Sequence, residues 1–335
     1  MSKTLYVMSD GALKRRHNTL LIEHKDEQSR YIPVETVEEI MVMGEVSLNK
    51  NLLEFLTQQR ITMHFFNHYG FYAGTYYPRE HRNSGPVLLA QAACCLDPEK
   101  RRALAASFVT GAIANMRRVV GYYQRRWDDL EAEDILEGLD RFAQEAPNAP
   151  DVPALMGVEG NARSCYYQLF DRVVRDDALK LGKRARRPPS NPMNALISFL
   201  NTLCYTLALT QIYRTPLDPR ISFLHEPSDR RLSLNLDLAE VFKPLLADRL
   251  IFSLVNKRTI REEHFLKDED GGLHMTDEAR KLVLQAWDER LEKTIEHPKT
   301  GRRVSWRRLV LLEAQKLQKH IAEGAPYEPF EHVGA

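Results

Sequence analysis

The second half of the chain contains an acid and imidazole set whose residue types suit a divalent metal. Glu159 has a glycine two positions before it and another directly after it, and His225 follows the largely apolar run 221–224. Asp237 and Glu240 are three residues apart, so a helix would place both on one face. Carboxylate oxygens with one imidazole nitrogen suit Mg²⁺ or Mn²⁺ and leave coordination positions for water and phosphate. The set therefore predicts metal-assisted chemistry on a phosphate ester.

Each of these residues also has an ordinary structural interpretation. Glu159 is expected at the start of a helix, where the helix dipole favours an acid. A lone histidine after an apolar run is more often hydrogen-bonded in the core or at the surface than bound to a metal. Asp237 and Glu240 fit the border of an amphipathic helix. Because Glu159 is far from the other residues in sequence, spacing alone leaves the metal site a hypothesis.

Short basic segments lie on both sides of this set. Basic runs are usually solvated surface, but four of them surround the acidic and imidazole residues, as a phosphate-binding surface would require. The net charge is +1, from 47 Lys and Arg against 46 Asp and Glu, so a nucleic-acid surface depends on how the charges are distributed. The predicted DNA-contacting residues are Lys183, Arg184, Arg186, Arg187, Arg220, Arg230, Arg231, Lys257 and Arg258.

Several common catalytic motifs are absent from the sequence. There is no Walker A loop, no GxGxxG after a strand, no GxSxG and no HExxH. Their absence argues against nucleotide hydrolysis, dinucleotide redox chemistry and serine hydrolysis. The four cysteines form no CxxC pair, which favours reduced thiols over a zinc site or a disulfide framework.

The sequence favours a cytoplasmic protein. Its first ten residues have no basic region and no small-residue cleavage site, so they do not resemble a signal peptide. The most apolar long segment, 193–213, contains several polar residues. We expect this segment to form a buried helix rather than to cross a membrane.

The hydrophobic pattern changes along the 335 residues and predicts an α+β protein. Residues 1–80 alternate and predict a small, mostly antiparallel β domain, with a hairpin that pairs 4–9 with 19–23 across the turn Asp10-Gly11. Residues 81–96 are expected to be a linker. Residues 97–335 predict a larger all-α catalytic domain, with helices near 97–127, 131–145, 158–175, 192–212, 236–256, 276–291 and 306–321.

Four motifs follow one another in the second half of the chain. They are Met156–Gly160 with Ala162 and Tyr166, Arg187–Pro189 through Asn194–Leu196, Phe223–His225, and Ser233–Glu240. Together they resemble the Cas1 family, the CRISPR-associated endonucleases and integrases that insert new spacers into CRISPR arrays. The N-terminal half is also similar, at 40–44 and at 64–66 followed by Gly70. The resemblance covers roughly residues 1–300 and does not extend to the C-terminal tail.

The resemblance implies a catalytic set and a cofactor. Its metal ligands fall on Glu159, His225 and Glu240, with Mg²⁺ or Mn²⁺ as the cofactor. Asp237 matches a further acid of the same motif, as a ligand, a partner of a ligand or a DNA-facing group. Asn194 would support the site by packing. The implied reaction is attack by the 3′-hydroxyl of captured DNA on a phosphodiester at a repeat end, with water in its place giving nuclease activity.

The resemblance also implies partners. These are protospacer DNA, the leader end of the CRISPR repeat, a second copy bound through the β domain, and a small partner, Cas2, in a heterohexamer in a prokaryotic cytoplasm without a membrane. Two other functions remain open from the residues. One is a non-catalytic DNA-binding scaffold subunit, and the other is a metal hydrolase of small phosphoesters, which would need a compact pocket.

Overall fold

A computed structural model describes residues 3–24, 28–80, 82–185, 188–227, 232–267, 272–297 and 299–332. The chain divides into two compact units, Met1–Asn83 and Ser84–Ala335. The described residues of the first unit form one α-helix, α1 Lys50–Gln59, and eight strands. The strands are β1 Lys3–Val7, β2 Gly11–Arg16, β3 Thr19–His24, β4 Arg30–Pro33, β5 Val37–Val42, β6 Val46–Ser47, β7 Thr62–Phe66 and β8 Tyr72–Tyr76.

The eight strands form two four-stranded sheets. One has the order β1-β5-β7-β8, with β1–β5 and β5–β7 parallel and β7–β8 antiparallel. The other has the order β4-β3-β2-β6, with β2–β6 parallel and its remaining pairs antiparallel. Half of these pairings are parallel, so the prediction of a mostly antiparallel domain was wrong.

The predicted first hairpin was also wrong. Strand β3 pairs with β2 across a two-residue turn at His17 and Asn18, where His17 has a φ of 55°. Strand β1 instead pairs with β5, so Asp10-Gly11 joins one sheet to the other. Helix α1 covers the core of this unit, because its Leu52 packs in one cluster with Leu13 and Ile40.

The second unit is mainly helical, which confirms the α+β class, but its described residues also form two short hairpins that the all-α prediction missed. These pair β9 Phe265–Lys267 with β10 Leu273–Met275, and β11 Thr294–Glu296 with β12 Arg303–Ser305. The helices are α2 Gly85–Leu96, α3 Pro98–Arg126, α4 Glu133–Glu145, α5 Val152–Val173, α6 Pro192–Tyr213, α7 Leu234–Lys243, α8 Arg249–Asn256, α9 Asp277–Glu292 and α10 Trp306–Glu323.

Helix α2 lies where a linker was predicted, and that prediction was wrong. Ser84 caps the helix by accepting from the Val87 amide at 3.4 Å. The burial of polar and apolar side chains in α2 is the reverse of the usual one, because Gln91 is fully buried whereas Leu89 and Leu96 are 72% and 82% exposed. The periodicity of apolar residues therefore does not predict this helix, because its apolar side chains are not on its buried face.

Two boundaries near the predicted site also differ from expectation. Helix α5 begins six residues early because Asp151 caps it, accepting from the Ala154 amide at 2.8 Å. Glu159 therefore lies two turns inside the helix rather than in its first turn. The single helix predicted over 236–256 is divided by a π-helical segment, Pro244–Asp248, which begins at a proline that has no amide hydrogen to donate.

Helix α6 forms much of the core of the second unit. It is long and apolar enough to cross a membrane, but 78% of its most apolar window is buried within the protein, as expected for a core helix. Helix α7 packs against both α6 and α3.

The C-terminal segment Tyr327–His332 holds α3 and α7 together. The buried amide of Asn115 in α3 donates to the Val241 carbonyl of α7 at 2.9 Å and to the Phe330 carbonyl at 2.8 Å. The Phe330 ring stacks on Phe242 of α7 with 5.7 Å between the ring centroids. This packing fixes the helix that carries Asp237 and Glu240.

We expect Gly111→Ala to lower the free energy of unfolding by about 1–3 kcal/mol, the usual cost of overpacking. A Cβ at Gly111 in α3 would lie 2.5 Å from the Pro329 ring of the C-terminal segment. Urea unfolding measures the change. Gly157→Ala is the matched control, because a Cβ there meets no heavy atom within 4 Å, so this variant should be neutral or more stable. Equal stability of the two variants would contradict the packing described here.

Candidate active site

The predicted catalytic residues lie on two helices and one loop of the second unit. Glu159 is on α5, Asp237 and Glu240 are on α7, and His225 is in the connection between α6 and α7. Residues 221–224, the run before His225, have irregular backbone and form no strand. The position of His225 therefore depends on side-chain contacts, not on a sheet.

Asp237 provides the main contact to this loop. Its Oδ2 accepts from the amides of Phe223 at 2.7 Å and Leu224 at 3.0 Å. Its Oδ1 accepts from the His225 amide at 2.9 Å and lies 2.8 Å from Nδ1 of the same residue. The Asp237 side chain is fully buried, and these four hydrogen bonds use the acceptor positions of a carboxylate. The geometry assigns Asp237 to positioning His225, which separates its role from that of Glu240.

The imidazole of His225 is held in one orientation. Because the Asp237 oxygens also accept from three backbone amides, Nδ1 is the donor in its contact with Asp237, and in the neutral imidazole Nε2 keeps the free lone pair. Burial lowers the pKa of His225, but the hydrogen bond and charge of Asp237, with the charge of Glu240, outweigh it and raise the pKa above its usual value. A carboxylate behind an imidazole is the arrangement that orients metal-binding histidines in proteins.

Arg163 connects the two remaining predicted ligands. Its guanidinium is buried and lies 2.8 Å from Glu240 Oε2 and 3.7 Å from Glu159 Oε1. On the other side of Glu240, Lys243 Nζ donates to Oε1 at 2.5 Å. Burial by itself raises the pKa of Glu240. The nearby Lys243, Arg163 and His225 have the larger combined effect and lower this pKa to about 2. Glu240 is therefore ionised at neutral pH.

Sequence reasoning missed Arg163 and Lys243, although their spacing was visible. Arg163 is one helical turn after Glu159, and Lys243 is three residues after Glu240, so each faces its acid on the same helix. Asp248 gave no such signal. Its Oδ2 lies 3.6 Å from Nη1 of Arg163, and only the π-helical segment places it there.

The predicted ligands share one charged cluster but do not form a coordination shell. Among the described residues, no three His, Cys, Asp or Glu side chains are close enough to hold a metal ion. Both oxygens of Glu240 instead bind cations, Oε2 binding Arg163 and Oε1 binding Lys243. The donor types still fit a divalent cation, with Nε2 of His225 and the side-chain oxygens of Glu240 and Glu159 as candidates. Space is open beside the glycines that flank Glu159, where a ligand rather than backbone could approach.

The predicted DNA-contacting residues are only partly described. Lys183, Lys257 and Arg258 are exposed, whereas Arg186, Arg187, Arg230 and Arg231 lie outside the described residues. Arg220 is 70% exposed but pairs with Asp218 at 2.5 Å. Arg184 is half-buried and donates to Asn194 Oδ1 at 2.8 Å. The buried Asn194 also accepts from the Ala185 amide at 2.9 Å, so it holds the basic segment against α6.

A cavity of about 630 Å³ lies away from these residues. It is lined by α3, the turn between β11 and β12, α10 and the C-terminal segment, and not by Glu159, His225 or Glu240. This cavity does not provide the compact pocket that hydrolysis of small phosphoesters at the predicted site would need.

Asp237→Asn should lower the free energy of unfolding by about 1–3 kcal/mol, because its amide group would face buried N–H donors that then lack an acceptor. Urea unfolding at neutral pH measures the loss. Asp129→Asn, at an exposed aspartate after α3, is the control and should change stability little. A neutral effect of Asp237→Asn would refute the role of this carboxylate in holding the loop.

Asp248→Asn should stabilise the protein more at pH 8 than at pH 4. Burial raises the pKa of Asp248 to about 6, although Arg163 and Lys243 lower it. A carboxyl whose pKa is raised on folding contributes stability below its unfolded pKa of about 4, and this is lost as the pH rises through about 6. An asparagine has no such loss, so we expect a difference of about 1–3 kcal/mol between the two pH values. Urea unfolding of both proteins at each pH tests this, and a pH-independent difference would contradict it.

Known proteins match this chain over most of its length. A family model described as CRISPR associated protein Cas1 matches residues 5–289. A curated relative, CRISPR-associated endonuclease Cas1 2 of Thermodesulfovibrio yellowstonii, is 50% identical over 330 residues, covering 98% of this chain and 99% of the relative.

Solved structures show the same architecture. A CAS1 protein from Thermotoga maritima matches with a TM-score of 0.87 and 43% identity, covering 98% of this chain and 100% of that chain. A casposase bound to its integration product matches with a TM-score of 0.83, covering 99% of this chain and 96% of that chain, but at 19% identity the likeness is one of fold alone. The family model and the curated relative span most of the sequence, so this chain belongs to the CRISPR-associated protein Cas1 family.

Proposed function

We propose that this chain is a metal-dependent DNA endonuclease and integrase that joins the 3′-hydroxyl ends of captured DNA into a CRISPR array by transesterification. The observation that carries the proposal is the His225 imidazole, held by Asp237 so that Nε2 is free, in one cluster with the carboxylates of Glu240 and Glu159. The name of the curated relative, an endonuclease, supports the nuclease activity. The casposase bound to an integration product gives the shared fold a precedent for strand joining.

Glu159, His225 and Glu240 would hold Mg²⁺ or Mn²⁺. When bound, such an ion activates a hydroxyl or water and offsets the charge that develops on the phosphate. Asp237 keeps His225 in the tautomer that can bind a cation, and Arg163 and Lys243 keep Glu240 ionised. Each Glu240 oxygen accepts one hydrogen bond from these cations, which would leave a lone pair on each oxygen for a metal. No covalent protein intermediate is required.

The proposed assembly follows the family resemblance. It contains a homodimer formed through the β unit, a small Cas2 partner in a heterohexamer, and DNA bound by the basic segments around the site. Lys183, Lys257 and Arg258 are exposed and available for phosphate contacts. The proposed compartment is the prokaryotic cytoplasm.

We expect His225→Ala to lose most strand-joining and nuclease activity while the protein stays folded. Loss of one of three ligands weakens both metal binding and the chemistry that depends on it. Gel assays of a labelled DNA end with Mn²⁺ or Mg²⁺ measure the activity, and circular dichroism checks the fold. His320→Ala is the control, because this histidine lies in the last turn of α10 and is not one of the proposed ligands.

Joining at the full rate by His225→Ala would refute the assignment of the site.

A chelator distinguishes the enzyme from a non-catalytic scaffold. EDTA should abolish cleavage and joining by the purified protein, whereas DNA binding should respond mainly to salt. DNA binding without any metal-dependent cleavage would favour the scaffold.

A further inference from the structure

The loop that carries His225 is irregular, so neighbouring side chains must satisfy its backbone groups. Asp237 accepts from the amides of residues 223–225 on one side of the loop. The carbonyl groups of the same loop are contacted by other side chains. Three of these side chains come from α2 and the start of α3.

Gln91 of α2 makes the most extensive of these contacts. Its Nε2 donates to the carbonyls of Asp218 at 3.0 Å and Ile221 at 2.8 Å. Its Oε1 accepts from the Asp218 amide at 2.9 Å. Gln91 is fully buried, so water does not compete for these hydrogen bonds. The side-chain amide of Gln91 thus links two backbone positions of the loop, Asp218 and Ile221.

Two further side chains continue this row of contacts towards the histidine. Cys95 Sγ lies 3.3 Å from the Ser222 carbonyl, and Arg101 Nε donates to the Phe223 carbonyl at 3.0 Å. Arg101 also pairs with Glu226 at 2.7 Å, directly after His225. The loop is therefore held by its carbonyls on the α2 side and by its amides on the α7 side.

The composition of α2 indicates why a glutamine is present. Its buried residues are Val87 and Gln91, while leucines face solvent. Docking this helix by apolar burial would require a leucine inside, not an amide. The fully buried amide makes geometric contacts that an apolar side chain cannot replace.

We propose that Gln91 is a positioning residue for His225. It fixes the backbone of Asp218 to Ile221, and Asp237 fixes the next residues, so that the two side chains together hold the imidazole in one orientation. The inference rests on the proposed function of His225. Gln91 does not touch the reacting groups and acts only through the loop.

The test uses two variants of the full chain. Gln91→Met keeps the length of the side chain but removes all three hydrogen bonds. Gln91→Glu keeps the shape and the acceptor for the Asp218 amide but replaces two N–H donors by at most one O–H donor, so it remains informative if the methionine variant unfolds. The matched control is Asn256→Leu, because Asn256 uses the same amide chemistry on the Val173 carbonyl at 3.0 Å and the Arg175 amide at 3.3 Å, in another part of the unit.

The first measurement does not depend on activity. Protein labelled with ¹⁵N-histidine is studied by NMR without metal or DNA, and the ring signals of His225 are assigned by their absence from His225→Ala. Both Gln91 variants should shift or broaden the His225 ring signals, while Asn256→Leu leaves them in place. The kcat of strand joining should fall about 10- to 100-fold in the Gln91 variants, the usual effect of losing a group that orients a ligand, with the Kd for DNA nearly unchanged.

Unchanged His225 signals in the Gln91 variants would overturn the proposal, and so would a kcat no lower than that of Asn256→Leu. These outcomes differ from failure of the proposed function. Full activity of His225→Ala would refute that function, while the NMR result would still decide whether Gln91 holds the histidine.

Discussion

The structure of the site depends on one buried carboxylate, that of Asp237. Its four hydrogen bonds satisfy three consecutive backbone amides and orient an imidazole. Without this acceptor the amides of the loop would be buried and unpaired, which costs more than the hydrogen bonds themselves contribute. Helix α7 must therefore lie directly beneath the loop, and Asn115, Phe330 and the core helix α6 serve to keep it there.

The charges next to this loop form a second constraint. Glu240, Arg163, Lys243 and Asp248 are all nearly removed from solvent, and a buried charge is tolerated only when it is paired. Arg163 meets this need by contacting Glu159, Glu240 and Asp248 together. The same pairing keeps Glu240 ionised in a place where burial alone would neutralise it.

Segments outside the recognised motifs support both features. Helix α2 binds the outer side of the histidine loop, although its sequence resembles a linker followed by an apolar run. The C-terminal segment Tyr327–His332 lies beyond the residues that the family model matches, yet it packs on α3 and α7. The family motifs therefore contain the proposed catalytic residues, and less distinctive residues outside the motifs support their positions.

The sequence by itself determined the local features of this protein. Helical periodicity predicted α3 and α6, alternation predicted a β domain over residues 1–80, and the order of motifs indicated the family. The resemblance to that family implies Glu159, His225 and Glu240 as the metal ligands. Strand partners and the role of Asp237 were decided only by tertiary structure. A strand forms from its own residues, but its partner is chosen among distant segments, as when β1 pairs with β5 instead of closing a hairpin. Asp237 differs from Glu240 because buried amides of a loop, twelve or more residues away, occupy its oxygens. Spacing reveals which residues share a helix face, whereas hydrogen-bond saturation depends on which distant segments the fold brings to that face.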